Sequence, residues 1–362
     1  MTHIYFFTGF PGFIAARMIR HLLGTREHSR FVLLVHPSQR ERAERQIADL
    51  NREYPNRGQF EMIPGDITLE GLGIGETIRQ ERAKSITHLF HLAAIYDLAV
   101  PYDLAYQVNV IGTRRVNEWA RLLPHLQRYV YFSTAYVSGT REGVILETEL
   151  EMNQRFKNHY ESTKYEAEVL VQAERERLPL TIIRPGIVMG DSRTGETAKF
   201  DGPYFIMQFF HRFRRFPIPY IGLTSTMINL VPVDYVVSAA LYLAHAAEGE
   251  NRVYHLTDPD PKPIRHVYER ICRDLLNKQP SWTLPLSLVD AALSVPAFRR
   301  WVMVEQETLE YFQCQSLYDC RQALEDLRES GITCPSFDLY AERAVRYFAE
   351  HRKDPEKVIR VR

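Results

Sequence analysis

The sequence predicts an α/β fold, a doubly wound parallel sheet followed by a smaller, mainly helical lobe. Apolar runs of strand length alternate with stretches of helical spacing through the first half of the chain. A Gly-containing turn follows the first run, and a pair of hydroxyl residues closes a later one. Both stand where such sheets meet their ligands.

Ile4–Phe7, Phe31–Val35, Phe60–Ile63, Leu89–Leu92, Tyr129–Phe132 and Leu180–Ile183 are the strand candidates. Each is apolar almost throughout, as strands covered on both faces are. Between them, patterns such as Met18, Ile19, Leu22 and Leu23 recur at helical spacing, so the connections are expected to be right-handed crossovers. The rhythm breaks after Arg184-Pro185-Gly186, where the polar stretch Asp191 to Gly202 leads into an aromatic, helix-like segment. Met227 to Asp234 and Val253 to Thr257 look like returns to the sheet edge, and from Pro261 the pattern is mainly helical. The expected division is a sheet domain over residues 1–190, rejoined by 228–258, and a substrate lobe built from 191–227 and 259–362. The basic tail after His351 is expected to be solvated and partly frayed.

Thr8-Gly9-Phe10-Pro11-Gly12-Phe13-Ile14-Ala15 stands between the first strand and the first helix. Gly9 and Gly12 allow a tight turn and a close backbone approach to a pyrophosphate at a helix N-terminus. The sheet therefore reads as a Rossmann-type domain, with Thr8 to Ile14 at the cofactor. Ala15 replaces a common third Gly, at a position concerned with helix–strand packing. The second strand ends Leu34-Val35-His36-Pro37-Ser38-Gln39-Arg40, without a carboxylate for a ribose 2′-hydroxyl. His36, Ser38 and Arg40 could hold a 2′-phosphate, so NADP(H) is expected over NAD(H). The plain alternative is that Arg40, Arg42 and Arg45 form only a wet helix face. Asp66, closing the third strand with Ile67 beside it at the cofactor, could meet the adenine amine or simply cap the next helix. The small Ala93 and Ala94 after the fourth would let backbone approach the cofactor.

His159-Tyr160-Glu161-Ser162-Thr163-Lys164 sets a phenol and an ammonium one helical turn apart on a common face. A phenol titrates near ~10, so it is a reluctant proton donor at neutral pH. A lysine ammonium and an oxidised nicotinamide both favour the phenolate, which makes Tyr160 a usable proton shuttle. Ser133 and Thr134, closing the strand Tyr129–Phe132, could hydrogen-bond a substrate carbonyl oxygen beside it. Together these features predict a nicotinamide-dependent reductase.

Composition excludes several other classes. The chain has 362 residues, with 45 basic residues balancing 45 acidic ones, so nothing marks a general nucleic-acid binder. No apolar run reaches the ~18 residues that span a membrane. The N-terminal residues enter a strand without a signal peptide's charged region, and a cytoplasmic protein is expected. Cys272, Cys314, Cys320 and Cys334 include no Cys-x-x-Cys pair and are expected to be reduced thiols, with no metal site.

The combination resembles the extended short-chain dehydrogenase/reductase superfamily. Carrying it are the Thr8-to-Ile14 turn, His91-Leu-Ala-Ala94, Asn109-Val-Ile-Gly-Thr113, Ser133-Thr134, Tyr160-x-x-x-Lys164 and Arg184-Pro-Gly186. More narrowly, Phe90-His-Leu-Ala-Ala-Ile-Tyr-Asp97, the stretch Arg184 to Gly195, Asp201-Gly-Pro-Tyr204 and Asn229 to Asp234 look like the male-sterility branch of fatty acyl-CoA and thioester reductases. The resemblance implies a Thr134–Tyr160–Lys164 triad, with Asn109 helping to orient the lysine and Ser133 as second choice for the hydroxyl. It also implies that backbone following Arg184-Pro185 faces the nicotinamide amide, which adds Pro185, Gly186 and Val188 to the cofactor contacts.

The lobe should set the substrate class. Phe205, Phe209, Phe213 and Phe216 recur near helical spacing and could line an acyl-chain tunnel or form a plain packing face. Arg212, Arg214 and Arg215 could hold phosphates of coenzyme A or of a nucleotide sugar, or simply be solvated. The apolar stretch Leu286 to Phe298 could touch a membrane surface, or be buried in the core or a dimer. The leading expectation is an NADPH-dependent reductase of long-chain acyl thioesters or aldehydes. An extended-type dehydrogenase or epimerase of nucleotide sugars, steroids or other secondary alcohols is the alternative, and a non-catalytic dinucleotide sensor the third. Family members commonly pair, so a homodimer is compatible with these residues, as is a monomer.

Overall fold

The computed structural model describes all residues except 1–2, 27, 98, 223–225, 305, 307–308, 311–314 and 360–362. Seven strands, β1 (Ile4–Thr8), β2 (Ser29–Val35), β3 (Gly58–Pro64), β4 (His88–His91), β5 (Arg128–Phe132), β6 (Leu180–Pro185) and β7 (Arg252–Leu256), form one sheet. Its order is β7-β6-β5-β4-β1-β2-β3, and every pairing is parallel. Alternation along β1 explains the two layers. Tyr5 and Phe7 enter a core with the helices α1 (Phe13–Thr25) and α2 (Arg40–Glu53), whereas Phe6 enters the opposite core. Between β3 and β4 runs α3 (Glu76–Ala83). On the Phe6 side lie α4 (Gly112–Ala120) and α5 (His159–Gln172). The order of strands reverses at β1, leaving a crevice beyond the carboxyl ends of β1 and β4.

The lobe comprises α6 (Tyr204–Phe213), then, after α7 (Val233–His245) returns to the sheet, α8 (Ile264–Leu276), α9 (Leu286–Leu293), α10 (Pro296–Val302) and α11 (Phe337–His351). One of its cores joins Tyr204, Met207 and Phe210 to Tyr268, Ile271, Tyr340 and Phe348.

Two expectations are corrected. The Met227–Asp234 stretch is not an edge of the main sheet. Met227–Ile228 pairs with Lys262–Pro263, Leu230–Pro232 pairs with Ile187–Met189, and Asp234 already lies in α7. The chain breaks at Pro185-Gly186, so the ladder formed beyond it is separate from β6. The tail is not loose as far as it is described. The Lys357 carbonyl accepts from the Phe200 N–H at 2.9 Å, its Nζ donates to the Thr197 carbonyl at 2.9 Å, and Ile359 packs beside Phe205 and Val289. Cys272, Cys320 and Cys334 are free thiols, and Cys314 lies outside the described residues.

At the amino ends of β1 and β4, His3, His88 and His245 pack ring against ring, with His88 and His245 stacked at 4.7 Å. Burial, reinforced by the neighbouring imidazoles and arginines, pushes His88 down to about 2 and His245 to about 4. Both are neutral when folded and bind a proton when unfolded. Their contribution is therefore complete above about pH 6.5 and lost as pH falls, at roughly 1.4 kcal/mol per pH unit each, down to about 4 for His245 and about 2 for His88. Thermal melting followed from neutral pH to about pH 5 should show a falling Tm, and His245→Gln should flatten that fall.

Candidate active site

The Gly-rich turn is shaped for a ligand lying against backbone. Gly9 has φ +84°, and a Cβ there would stand 2.6 Å from the Ala93 N–H nitrogen. A Cβ on Gly12 would meet the Gly9 carbonyl at 2.5 Å. Gly12 precedes α1, and no side chain among the described residues caps that helix, so its first N–H groups remain for an anion. These features fit a dinucleotide pyrophosphate. Thr8 is wholly buried beneath the turn, where its Oγ1 accepts from the Ala93 N–H at 3.1 Å and bonds His91 Nδ1 at 2.7 Å. His91 Nε2 in turn reaches Thr113 Oγ1 at 3.0 Å, which donates to the Asn109 carbonyl at 2.6 Å. Phe10 and Pro11 are buried, and Phe13 and Ile14 half-buried.

At the other end of the crevice, His36, Ser38 and Arg40 are exposed beyond β2. His36 Nδ1 bonds Ser38 Oγ at 2.7 Å, and its Nε2 lies 3.6 Å from Asp66 Oδ2. Arg40 is turned toward Glu44 at 2.8 Å, an exposed helical pair of small energy that does not hold the guanidinium firmly. Asp66 Oδ1 accepts from the N–H and hydroxyl of Thr68, both at 2.8 Å, while Ile67 is buried against Gly112. Ala94 is exposed and Ala93 half-buried. Pro185 and Gly186 are buried with Val188 half-buried, and a Cβ on Gly186 would lie 2.7 Å from Asn229 Oδ1.

Asn158 opens α5 by accepting the Glu161 N–H at 3.0 Å. The inward face of that helix then presents Tyr160, Lys164 and Glu168, each one turn further on. Tyr160 and Thr134 are brought together. Burial pushes the Tyr160 phenol above its ordinary range, and a hydrogen bond with Thr134 opposes that rise. Lys164 is not directed at the phenol. Its Nζ donates to the Tyr131 hydroxyl at 2.9 Å and the Phe132 carbonyl at 2.6 Å. Burial pushes the ammonium down to about 7, with Glu168 opposing. The phenol is thus pushed above its ordinary range by burial, whereas the Tyr–Lys spacing alone suggests a depression.

Ser133 is drawn the other way. Its Oγ donates to Glu168 Oε2 at 2.5 Å, and Glu168 is paired with Arg184 at 2.6 Å in the buried interior. Thr134 is left as the hydroxyl facing Tyr160. Asn109, in a π-helical segment (Tyr106–Ile111), does not bond Lys164. It accepts the Ile95 N–H at 2.9 Å and donates to Thr163 Oγ1 at 3.0 Å, bracing the turn of α5 that carries the lysine. Sequence reasoning missed Tyr131, Glu168 and Arg184 as a supporting set. Glu168, four residues beyond Lys164, was the available signal. It also left Tyr96 unassigned, whose ring meets that of Tyr160 edge-on at 5.1 Å.

The male sterility protein family profile matches residues 7–240. The chain belongs to that family. Among its relatives, the fatty acyl-CoA reductase wat of Drosophila melanogaster is 28% identical over 280 residues, covering 65% of this chain and 53% of that protein. The glycine betaine reductase ATRR of Emericella nidulans is 26% identical over 276 residues, covering 72% of this chain and 21% of that protein. The chain thus spans about half of the one relative's length and about a fifth of the other's. The terminal R domain of the myxalamid PKS-NRPS pathway has the same fold, with a TM-score of 0.82 at 24% identity over 98% of this chain and 92% of that one. Family and fold together make the sheet of this male sterility family member an NAD-binding domain. No helix among the described residues is long and apolar enough to cross a membrane.

Proposed function

We propose that the chain is an NADPH-dependent reductase of fatty acyl thioesters, or of the derived aldehydes, working through Thr134, Tyr160 and Lys164. The observation that carries the substrate class is an apolar cavity of about 620 Å³ in the lobe. The aromatic stripe divides around it. Phe205, Phe209 and Phe213 line the cavity together with Val289, Leu293 and Phe298, while Tyr204 and Phe210 face the core. Its described lining side chains carry two polar groups, the Tyr268 hydroxyl and the Trp282 indole N–H. Both donate to protein carbonyls, at 2.8 and 3.4 Å. A sugar would find no free hydrogen-bonding side chain there, whereas an alkyl chain gains about 0.8 kcal/mol for each methylene buried. The cavity lining holds none of Thr134, Tyr160 or Lys164. Asp201, whose charge acts on Tyr96 beside Tyr160, stands four residues before Phe205 in the cavity lining.

The bound dinucleotide would lie along Gly9–Gly12, Asp66, Ala93 and Gly186 and supply the hydride. Thr134 and Tyr160 hydroxyls would hold the carbonyl oxygen as negative charge develops on it. The protonated Tyr160 then gives its proton to that oxygen, with Lys164 one helical turn further along α5. Collapse of the resulting hemithioacetal releases the thiol and leaves an aldehyde. His36, Ser38 and Arg40 supply donors for a 2′-phosphate, which is why NADPH is preferred.

The test is oxidation of NADPH and of NADH with acyl-CoAs, fatty aldehydes and nucleotide sugars. Turnover confined to the sugars would end the lipid reading, and preference for NADH would end the phosphate assignment. Ala292→Phe, which places a ring inside the cavity, should raise KM for long acyl chains roughly tenfold by denying burial to two or so methylenes, leaving short chains unaffected. Equal effects on short and long substrates would show that the chain lies elsewhere.

A further inference from the structure

The cavity opens where the lobe is least polar. Phe216, Trp282 and Leu288 line it yet are 62%, 48% and 57% exposed, so they form its mouth. Trp301 is 46% exposed and lies edge-on to Phe213, a lining residue, at 5.5 Å. Monomeric proteins seldom leave such a group of large apolar side chains in water without a partner. Around these tips stand cations. Arg212 lies over the Trp301 ring at 5.6 Å, Lys278 Nζ donates to the Arg214 and Phe216 carbonyls, and Arg214, Arg215 and Arg300 are exposed. Among the described residues, none of Arg212, Arg214, Arg215, Lys278 and Arg300 is paired with a carboxylate.

We infer that this face seats on the surface of an anionic phospholipid bilayer, with Trp282, Trp301, Phe216 and Leu288 entering the headgroup boundary and the arginines meeting the lipid charge. Tryptophan and arginine side by side are what such an interface selects, since one side of each is apolar and the other wet or charged. A second copy of the chain is disfavoured, because it would bring like charges together. The purpose of the surface rests on the acyl-chain reading above, since a chain could pass from hydrocarbon into the cavity without crossing water. Its test does not.

The full chain is mixed with vesicles of phosphatidylcholine alone and of phosphatidylcholine with phosphatidylglycerol, and sedimented. Binding is expected to the anionic vesicles and to weaken with salt. Arg215→Gln with Arg300→Gln should weaken it roughly fivefold per charge removed, with melting unchanged. In the wild-type chain, lipids brominated on the acyl chain should quench the emission of Trp282 and Trp301 and spare the buried Trp119. No sedimentation with anionic vesicles, binding indifferent to the arginines, or bound protein with unquenched tryptophans would each overturn the inference. So would a stable dimer in solution that Trp282→Ser dissociates, since the face would then cover a second copy. Turnover of a short, soluble acyl thioester, measured alongside, reports separately on the proposed reaction.

Discussion

Tyr160→Phe is expected to lose roughly 10³-fold or more in kcat while binding NADPH as tightly as the parent chain. The phenol would both stabilise the developing oxyanion and supply the proton, and the phenyl ring keeps the shape that fills the site and does neither. Loss of one oxyanion donor alone typically costs ~10²–10³ in rate. Stability should change little, because the hydroxyl's partner, Thr134, is a neutral group and such a bond contributes about 1 kcal/mol. Cofactor titration, melting and turnover on a single preparation separate these effects. Full activity in the variant would mean that another group gives the proton. A matched loss of cofactor affinity would mean that Tyr160 acts by binding.

Arg184→Met should be the most damaging single change to the fold, at about 3–5 kcal/mol, with a fall in Tm of about 5 °C. Arg184 is 1% exposed and Glu168 is fully buried. The guanidinium reaches both carboxylate oxygens through Nε, at 3.0 and 3.1 Å, and one again through its terminal nitrogen at 2.6 Å. Burial alone would push Glu168 up, but Arg184 and the Ser133 hydroxyl outweigh it and hold the carboxyl below its usual range. With the guanidinium gone, burial is left dominant and the carboxyl rises. The variant's folded state then binds the extra proton first, so its deficit should shrink as pH falls toward about 4.5. Arg184→Met combined with Glu168→Leu should recover most of the loss, since no unpaired charge remains. Equal melting of the single and double variants would show that the pair is not what Arg184 contributes.

Much of the sheet was legible because its strands are apolar almost from end to end, and because Gly9 and Gly12 have little other reason to stand between a strand and a helix. The pairing of Tyr160 with Lys164 on one face followed from helical geometry alone. The choice between Ser133 and Thr134 did not. It depends on Glu168 drawing one hydroxyl inward, a contact between segments that neighbouring residues do not encode. The same holds for Lys164, whose spacing implied a partnership with the phenol while its Nζ rests on Tyr131 and Phe132. The stripe from Phe205 to Phe213 was ambiguous for a different reason. Periodicity reports that a face is apolar, not whether protein or empty space lies opposite, and here both occur on one helix. The tail misled because its charge suggested water, while Lys357 and Ile359 find carbonyls and an apolar cluster made by residues far earlier in the chain.

The edge strand β7 is supplied only after the first part of the lobe has been threaded, and it pairs residue for residue with β6 from Arg252–Thr181 to Leu256–Pro185. A fragment cut near residue 190 would therefore carry an unfinished border, with the backbone of Thr181 to Pro185 open to any other chain. Sheet and lobe are thus interlaced in synthesis order, and engineered swaps would need to carry the 252–256 segment along with the amino-terminal strands.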